Sequence, residues 1–289
     1  MWVCILLRGY AYCFNEVRYR HMHPLLFHAI PFYFVMWICA ATAGVAAGTR
    51  CAVRAGFPPG RSATALILLA FSILVGSKLL YLAEAHWFPF DDYVPLEFRG
   101  PLHGFRIAGG IVLLAAAMPV VCRVVRLPWR LFGDTTILVA ALALVFIRLG
   151  CFLNGCCFGK VSDVPWAVRF PRGSWVYYYH QLRGWVPSTA QTSLPVHPLQ
   201  LYFLLAAAAT GGIVLWLQRR GPSPGCVQLV FYALFFASTA CLEPLRQNFL
   251  TINNWLAELA ALLAAGMLVG SESLRSVAPM TEVTAERPS

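Results

Sequence analysis

Between residues 148 and 159 the chain reads Arg148-Leu-Gly-Cys151-Phe-Leu-Asn154-Gly-Cys156-Cys157-Phe-Gly159, which brings a guanidinium, a carboxamide and three thiols into one short stretch. The spacing predicts a helix that breaks at its glycines, so that Arg148, Asn154 and freed backbone donors share one terminus. A guanidinium offers two parallel N–H donors that match phosphate oxygens. The cluster therefore suits a phosphate. Cys151, Cys156 and Cys157 leave two readings open: small packing residues, or thiols for redox or metal chemistry, where a closed zinc site needs four ligands.

Lys78, Glu84, Glu243 and Arg246, like Arg148, lie in or beside long apolar runs. A charge at membrane depth costs about 2.5–3.5 kcal/mol on insertion scales, so such residues point to function or to mutual neutralisation. Lys78 and Glu84 can also reach an interface along their stems. Arg148 has Glu243 as a structural ion-pair candidate, and Pro244 would kink the helix beside it and open a path to water.

The elements that position these residues follow from composition. Of 289 residues, 59% are hydrophobic and 12% charged, against roughly a quarter charged in soluble domains. Hydrocarbon cannot hydrogen-bond a peptide group, and long unbroken apolar runs fit helices where barrel strands would alternate. The net charge of +10 comes from Lys and Arg scattered at the ends of apolar runs, which excludes a nucleic-acid patch and fits membrane-flanking anchors. Cys39 and Cys241 sit within apolar runs as small hydrophobes. The leading residues carry an apolar run too short for a cleaved signal.

These patterns predict an all-α integral membrane protein of about seven transmembrane helices, near Ala29–Gly48, Ala63–Ala85, Ile107–Cys122, Thr135–Phe152, Leu194–Leu217, Cys226–Phe249 and Trp255–Gly270. Residues 1–28 form an N-terminal external or interfacial segment, 29–270 the membrane domain and 271–289 a polar cytoplasmic tail. Residues 155–193, rich in Trp, Tyr, Pro and Arg, form a small external head at the lipid headgroups. The connections after the odd-numbered helices carry Arg50, Arg54 and Arg61, then Arg123, Arg126 and Arg130, then Arg219 and Arg220. The positive-inside rule assigns these to the cytoplasm, which puts the N-terminus outside and the C-terminus inside. Gly44, Gly48, Gly109 and Gly110 allow close helix packing.

Three motifs in order carry a family resemblance: Leu102-His103-Gly104, the Arg148 to Gly159 stretch, and His197-Pro198-Leu199-Gln200-Leu201-Tyr202. Ile30-Pro31-Phe32-Tyr33 opens the first helix, and Cys241-Leu-Glu243-Pro-Leu-Arg246 comes late. From Pro24 to Gly270 the chain resembles the prolipoprotein diacylglyceryl transferases, whose signature reads Arg-x-Gly-Asn-Phe-x-Asn-Gly-Glu-x-x-Gly. The signature's first asparagine is Cys151 here and its glutamate is Cys156. The arginine four residues before the late glutamate is Thr239, and the glutamate following the His-Pro motif is Phe203.

The resemblance implies transfer of a diacylglyceryl group from phosphatidylglycerol to the lipobox cysteine thiol of a preprolipoprotein in the bacterial inner membrane, with no metal or soluble cofactor. It implies His103 as base and Arg148 and Glu243 as catalytic groups. Tyr33, Asn154, Gly159, His197, Tyr202 and Arg246, with Arg148, would bind substrate. The departures keep a noncatalytic lipid-headgroup-binding relative, and a thiol-redox or metal protein, as alternatives.

Overall fold

The computed structural model describes residues 30–87 and 105–247, with the short stretches 6–7, 10–11 and 25–26. Two antiparallel two-residue pairs, Leu6–Leu7 with Tyr10–Ala11 and Leu25–Leu26 with Ile30–Pro31, precede the helices. Helices follow at Phe32–Arg54 (α1), Pro59–Trp87 (α2), Ile107–Val124 (α3), Trp129–Asn154 (α4), Trp175–Leu182 (α5), Leu199–Arg219 (α6) and Cys226–Leu242 (α7). Among the described residues, six of these, all but α5, are long and apolar enough to cross a membrane. The chain is an all-α integral membrane protein. The expected seventh span, Trp255–Gly270, lies outside the described residues.

The helices exceed or fall short of their apolar runs for local reasons. Helix α6 begins at Leu199, not Leu194, because Pro195 and Pro198 hold the preceding residues extended, with Pro198 as N-cap. Helix α7 stops at Leu242, and Glu243–Leu245 continues as a 3₁₀ turn with proline at its start. Pro244 thus ends the helix in place of kinking a longer one. Helix α4 starts earlier than its apolar core, at Trp129, and ends at Gly155 in the left-handed conformation, φ 65°.

In the bundle α2 packs on α3 and α1 and α6 pack on α4. Gly76 and Gly109 meet backbone to backbone, since a Cβ on either would stand 2.4 Å from the other's carbonyl oxygen. With little hydrophobic drive between helices in lipid, such close approach supplies the packing. The three basic turns gather at one end. Phe57 after α1 meets Phe132 of α4 at 5.6 Å, and the Asp134 carboxylate of α4 accepts from the backbone N–H groups of Gly225 (2.6 Å) and Gln228 (2.9 Å) at the start of α7. An acid there complements the helix N-terminus.

At the opposite end residues 155–198 build the head around Phe170, Val176 and Val196. Val196 bridges both Val161 and Val168. Ser174 caps α5, its Oγ accepting from the Tyr177 N–H at 3.2 Å. Trp166 and Trp185 stay exposed, as suits residues at a headgroup layer.

Candidate functional site

Arg148 projects from the last turns of α4 and is buried at 6% exposure. Its guanidinium lies over the Phe203 ring of α6, 4.1 Å from the centroid. The expected alternative, an ion pair of Arg148 with Glu243, does not form. Glu243 is engaged instead by Arg246, through Nε to Oε1 at 2.5 Å and Nη2 to Oε2 at 3.0 Å. The 3₁₀ turn between them places the two side chains a single turn apart, and both are buried. Arg148 has no carboxylate partner among the described residues.

Below Arg148 a narrow crevice runs between α4, α6 and α7, lined by Leu144, Phe203, Ala207, Phe231 and Phe235. Its walls are mostly apolar, with the Thr210 and Ser238 hydroxyls among them, and its volume of about 10 Å³ is roughly that of one water, so Arg148 sits in low-dielectric surroundings at the head end of α4. Asn154, half-buried at the end of α4, makes no side-chain hydrogen bond among the described residues and keeps its amide for a ligand.

Gly159 joins three motifs that are remote in sequence. Its N–H donates to the His197 carbonyl (3.0 Å), it bridges to Arg246, and the next residue, Lys160, donates to the Leu245 carbonyl (2.7 Å). A Cβ at Gly159 would lie 2.6 Å from the His197 Cβ and 2.8 Å from its carbonyl oxygen, so no larger residue fits without displacing backbone. The His197 Nδ1 is 3.1 Å from the Tyr202 hydroxyl, which also accepts from the Trp166 indole N–H at 2.6 Å. Gln200 ties α6 to the signature loop, its Nε2 donating to the Cys156 carbonyl at 2.7 Å.

Cys151, Cys156 and Cys157 converge, with all three sulfurs within 4.8 Å of one another. Cys157 holds a left-handed backbone, φ 59°, which turns the loop back on α4. Its thiol is drawn well below the ordinary thiol range, first by donation from Cys151 and Cys156 and then by the charges of Arg246 and Arg148.

The structure brings together Arg148, Asn154, Gly159, His197, Tyr202, Glu243 and Arg246 around the head end of the bundle. His103 lies outside the described residues, and Tyr33 falls in α1 with its side chain outside them. Lys78, expected at an interface or a site, has its ammonium 5.1 Å from the Tyr81 ring and 5.3 Å from the Phe105 ring. Gln200 reads within the His197 to Tyr202 motif without a role of its own, and Trp166 only among the aromatics of the head. A glutamine opening an apolar helix was a signal for the first; an aromatic in a loop gave none for the second.

Similarity to known proteins extends over most of the chain. The sequence pattern of the prolipoprotein diacylglyceryl transferase family matches residues 22–270. The phosphatidylglycerol–prolipoprotein diacylglyceryl transferase of Rhodospirillum rubrum is 31% identical over 204 residues, covering 67% of this chain and 65% of that protein. The proteins of the same name from Ralstonia pickettii and Rhizobium leguminosarum bv. trifolii are 29% and 27% identical, over 69% and 84% of this chain and 73% and 86% of theirs. The chain thus spans just under two thirds of the length of the Rhodospirillum rubrum relative.

Proposed function

The chain belongs to the prolipoprotein diacylglyceryl transferase family, and we propose that it moves the diacylglyceryl group of phosphatidylglycerol onto the lipobox cysteine of a preprolipoprotein. The observation that carries this reading is Arg148: buried at the head end of α4, without a carboxylate partner among the described residues, and sharing the Phe203 ring with Arg246. A phospholipid supplies both an anionic phosphate and acyl chains to such a site.

The chemistry divides among the assembled groups. The phosphodiester is held by the Arg148 guanidinium and the free Asn154 amide, which also stabilise the phosphate as it leaves. The acceptor thiol loses its proton to His103, the imidazole whose ordinary pKa suits the task. Its sulfur attacks the glyceryl carbon that bears the phosphate, forming a thioether and releasing glycerol phosphate. Gly159, His197, Tyr202 and Tyr33 shape the walls of the headgroup site, and the Glu243–Arg246 pair fixes the segment that closes it.

The basic turns at one end of the bundle favour a cytoplasmic placement of that end, with the head and the N-terminus outside the bacterial inner membrane. The test is rescue of cells depleted of their own transferase, read as formation of lipidated prolipoprotein. Binding of phosphatidylglycerol without any thioether product would make the chain a lipid-binding relative and sink the catalytic reading.

A further inference from the structure

We propose that Cys151, Cys156 and Cys157 form a three-thiolate site for a zinc-like divalent ion, whose open fourth position takes the acceptor thiol. The inference rests on the transferase reading for the acceptor's identity, and on the cysteine geometry alone for the metal.

Three observations carry it. The sulfurs lie within 4.8 Å of one another, and a tetrahedral ion with Zn–S of about 2.3 Å needs them about 3.8 Å apart. Small side-chain rotations close that gap. The second observation is Cys157, a non-glycine residue held at φ 59°. That backbone turns the loop back on α4 and brings the Cys157 sulfur to those of Cys151 and Cys156. The third is the surrounding charge. With a metal bound, three thiolates and Glu243 would carry four negative charges and Arg148 and Arg246 two positive, so a divalent cation would leave the cluster neutral. That neutrality favours a divalent ion over a monovalent one in a buried setting.

Three ligands and an open position are the pattern of a reactive zinc, whereas a structural zinc is closed by four. Here Cys156 and Cys157 are half-buried, so a ligand from the head side can reach the cluster. A thiol that coordinates zinc gives up its proton and stays nucleophilic. The metal-held acceptor sulfur then attacks the glyceryl carbon of the lipid. A C–S bond forms, and the C–O bond to phosphate breaks with its electron pair on the phosphate oxygen. The acceptor's proton passes to His103 as the thiol coordinates, and no oxidant or reductant is consumed. Cys151 and Cys156 stand where the family signature has an asparagine and a glutamate.

The experiment uses the full-length protein in detergent, stripped with a chelator under reducing conditions and titrated with Zn²⁺ or Co²⁺. One ion per chain is expected, with sulfur-to-cobalt charge-transfer absorption that grows by roughly a third when a lipobox-cysteine peptide adds a fourth thiolate. Each of Cys151→Ser, Cys156→Ser and Cys157→Ser should weaken metal binding by at least about 100-fold, while Cys39→Ser and Cys241→Ser leave it unchanged. Should a serine variant fail to fold, thiol alkylation of the folded wild-type protein with and without Zn²⁺ decides, since bound metal should protect all three cysteines. Substoichiometric metal, or alkylation indifferent to Zn²⁺, overturns the site. A disulfide that persists among the three under reduction overturns it too. Lipid transfer that proceeds equally well without metal overturns its catalytic role and leaves the transferase reading standing. Stoichiometric metal with no transfer to any lipobox peptide overturns the transferase reading and leaves the metal site.

Discussion

Arg148 and Arg246 share one aromatic ring: their guanidinium carbons lie 4.1 Å and 5.6 Å from the centroid of Phe203. The ring supplies a face to both cations where a carboxylate would have neutralised one of them. With Glu243 committed to Arg246, Arg148 has no carboxylate partner among the described residues. Phe203 is thus a departure from the family pattern that sets an aromatic face, in place of a carboxylate, beside Arg148.

Arg148→Lys keeps the charge and loses the planar fork. Transfer from phosphatidylglycerol is expected to fall roughly tenfold to a hundredfold, about 1.5–3 kcal/mol, while membrane insertion and thermal stability persist. Steady-state rates and a melting curve in detergent, on the same preparation, check both halves. A loss of stability matching that of Glu243→Gln would make Arg148 a structural partner and remove the clamp.

Glu243→Gln leaves Arg246 buried beside a neutral amide. Removing one member of a buried pair typically costs about 3–5 kcal/mol, so the melting temperature should drop sharply. Arg246→Gln should behave alike, because it strands the other charge. Equal stability of both variants to wild type would show the pair to be solvated.

Gly159→Ala places a methyl 2.6 Å from the His197 Cβ and 2.8 Å from its carbonyl oxygen. Overpacking of this kind costs about 1–3 kcal/mol, and here it forces apart the three segments that carry His197, Cys157 and Arg246. Proteolysis of the head should quicken, and transfer should fall with it. Gly212→Ala, which meets nothing within 4 Å, serves as the silent control.

His180 in the head makes stability pH-dependent. It is fully buried, its Nδ1 accepts from the Leu194 N–H at 3.2 Å, and burial pushes its pKa down to about 4 from 6.5. The unfolded chain therefore binds the proton first. Stability of the head is full above pH 6.5, declines as pH falls toward about 4, and levels off below. Trp185, whose ring lies 5.3 Å from His180, reports the change by fluorescence. His180→Asn keeps an acceptor for Leu194 and should flatten the profile; an unaltered slope would place its origin elsewhere.

Topology follows from the gathered basic turns. Reporter fusions at Arg54, Arg126 and Arg219 should read cytoplasmic, and one at Trp175 external. A cytoplasmic Trp175 would invert the orientation.

Hydropathy and motif order are local properties, and the sequence by itself determined what depends on them: a helical membrane protein, most of its spans, and the family to which it belongs. The end of α7 was not so determined, since Pro244 reads equally as a kink within a span to Phe249 and as the stop that it is after Leu242. Tertiary structure alone decided the partnerships. Glu243 lies within reach of two arginines in principle, and only the 3₁₀ turn after Leu242 gives it to Arg246. Gly159 carries no local signal that it must meet both His197 and Leu245, since that need arises from chain segments dozens of residues away. The convergence of three sulfurs likewise requires the left-handed turn at Cys157, a backbone state that sequence spacing does not encode. Burial and charge neutralisation are properties of the folded interior, so the choice of which charge is paired, and which is left for a ligand, is made only when the helices pack.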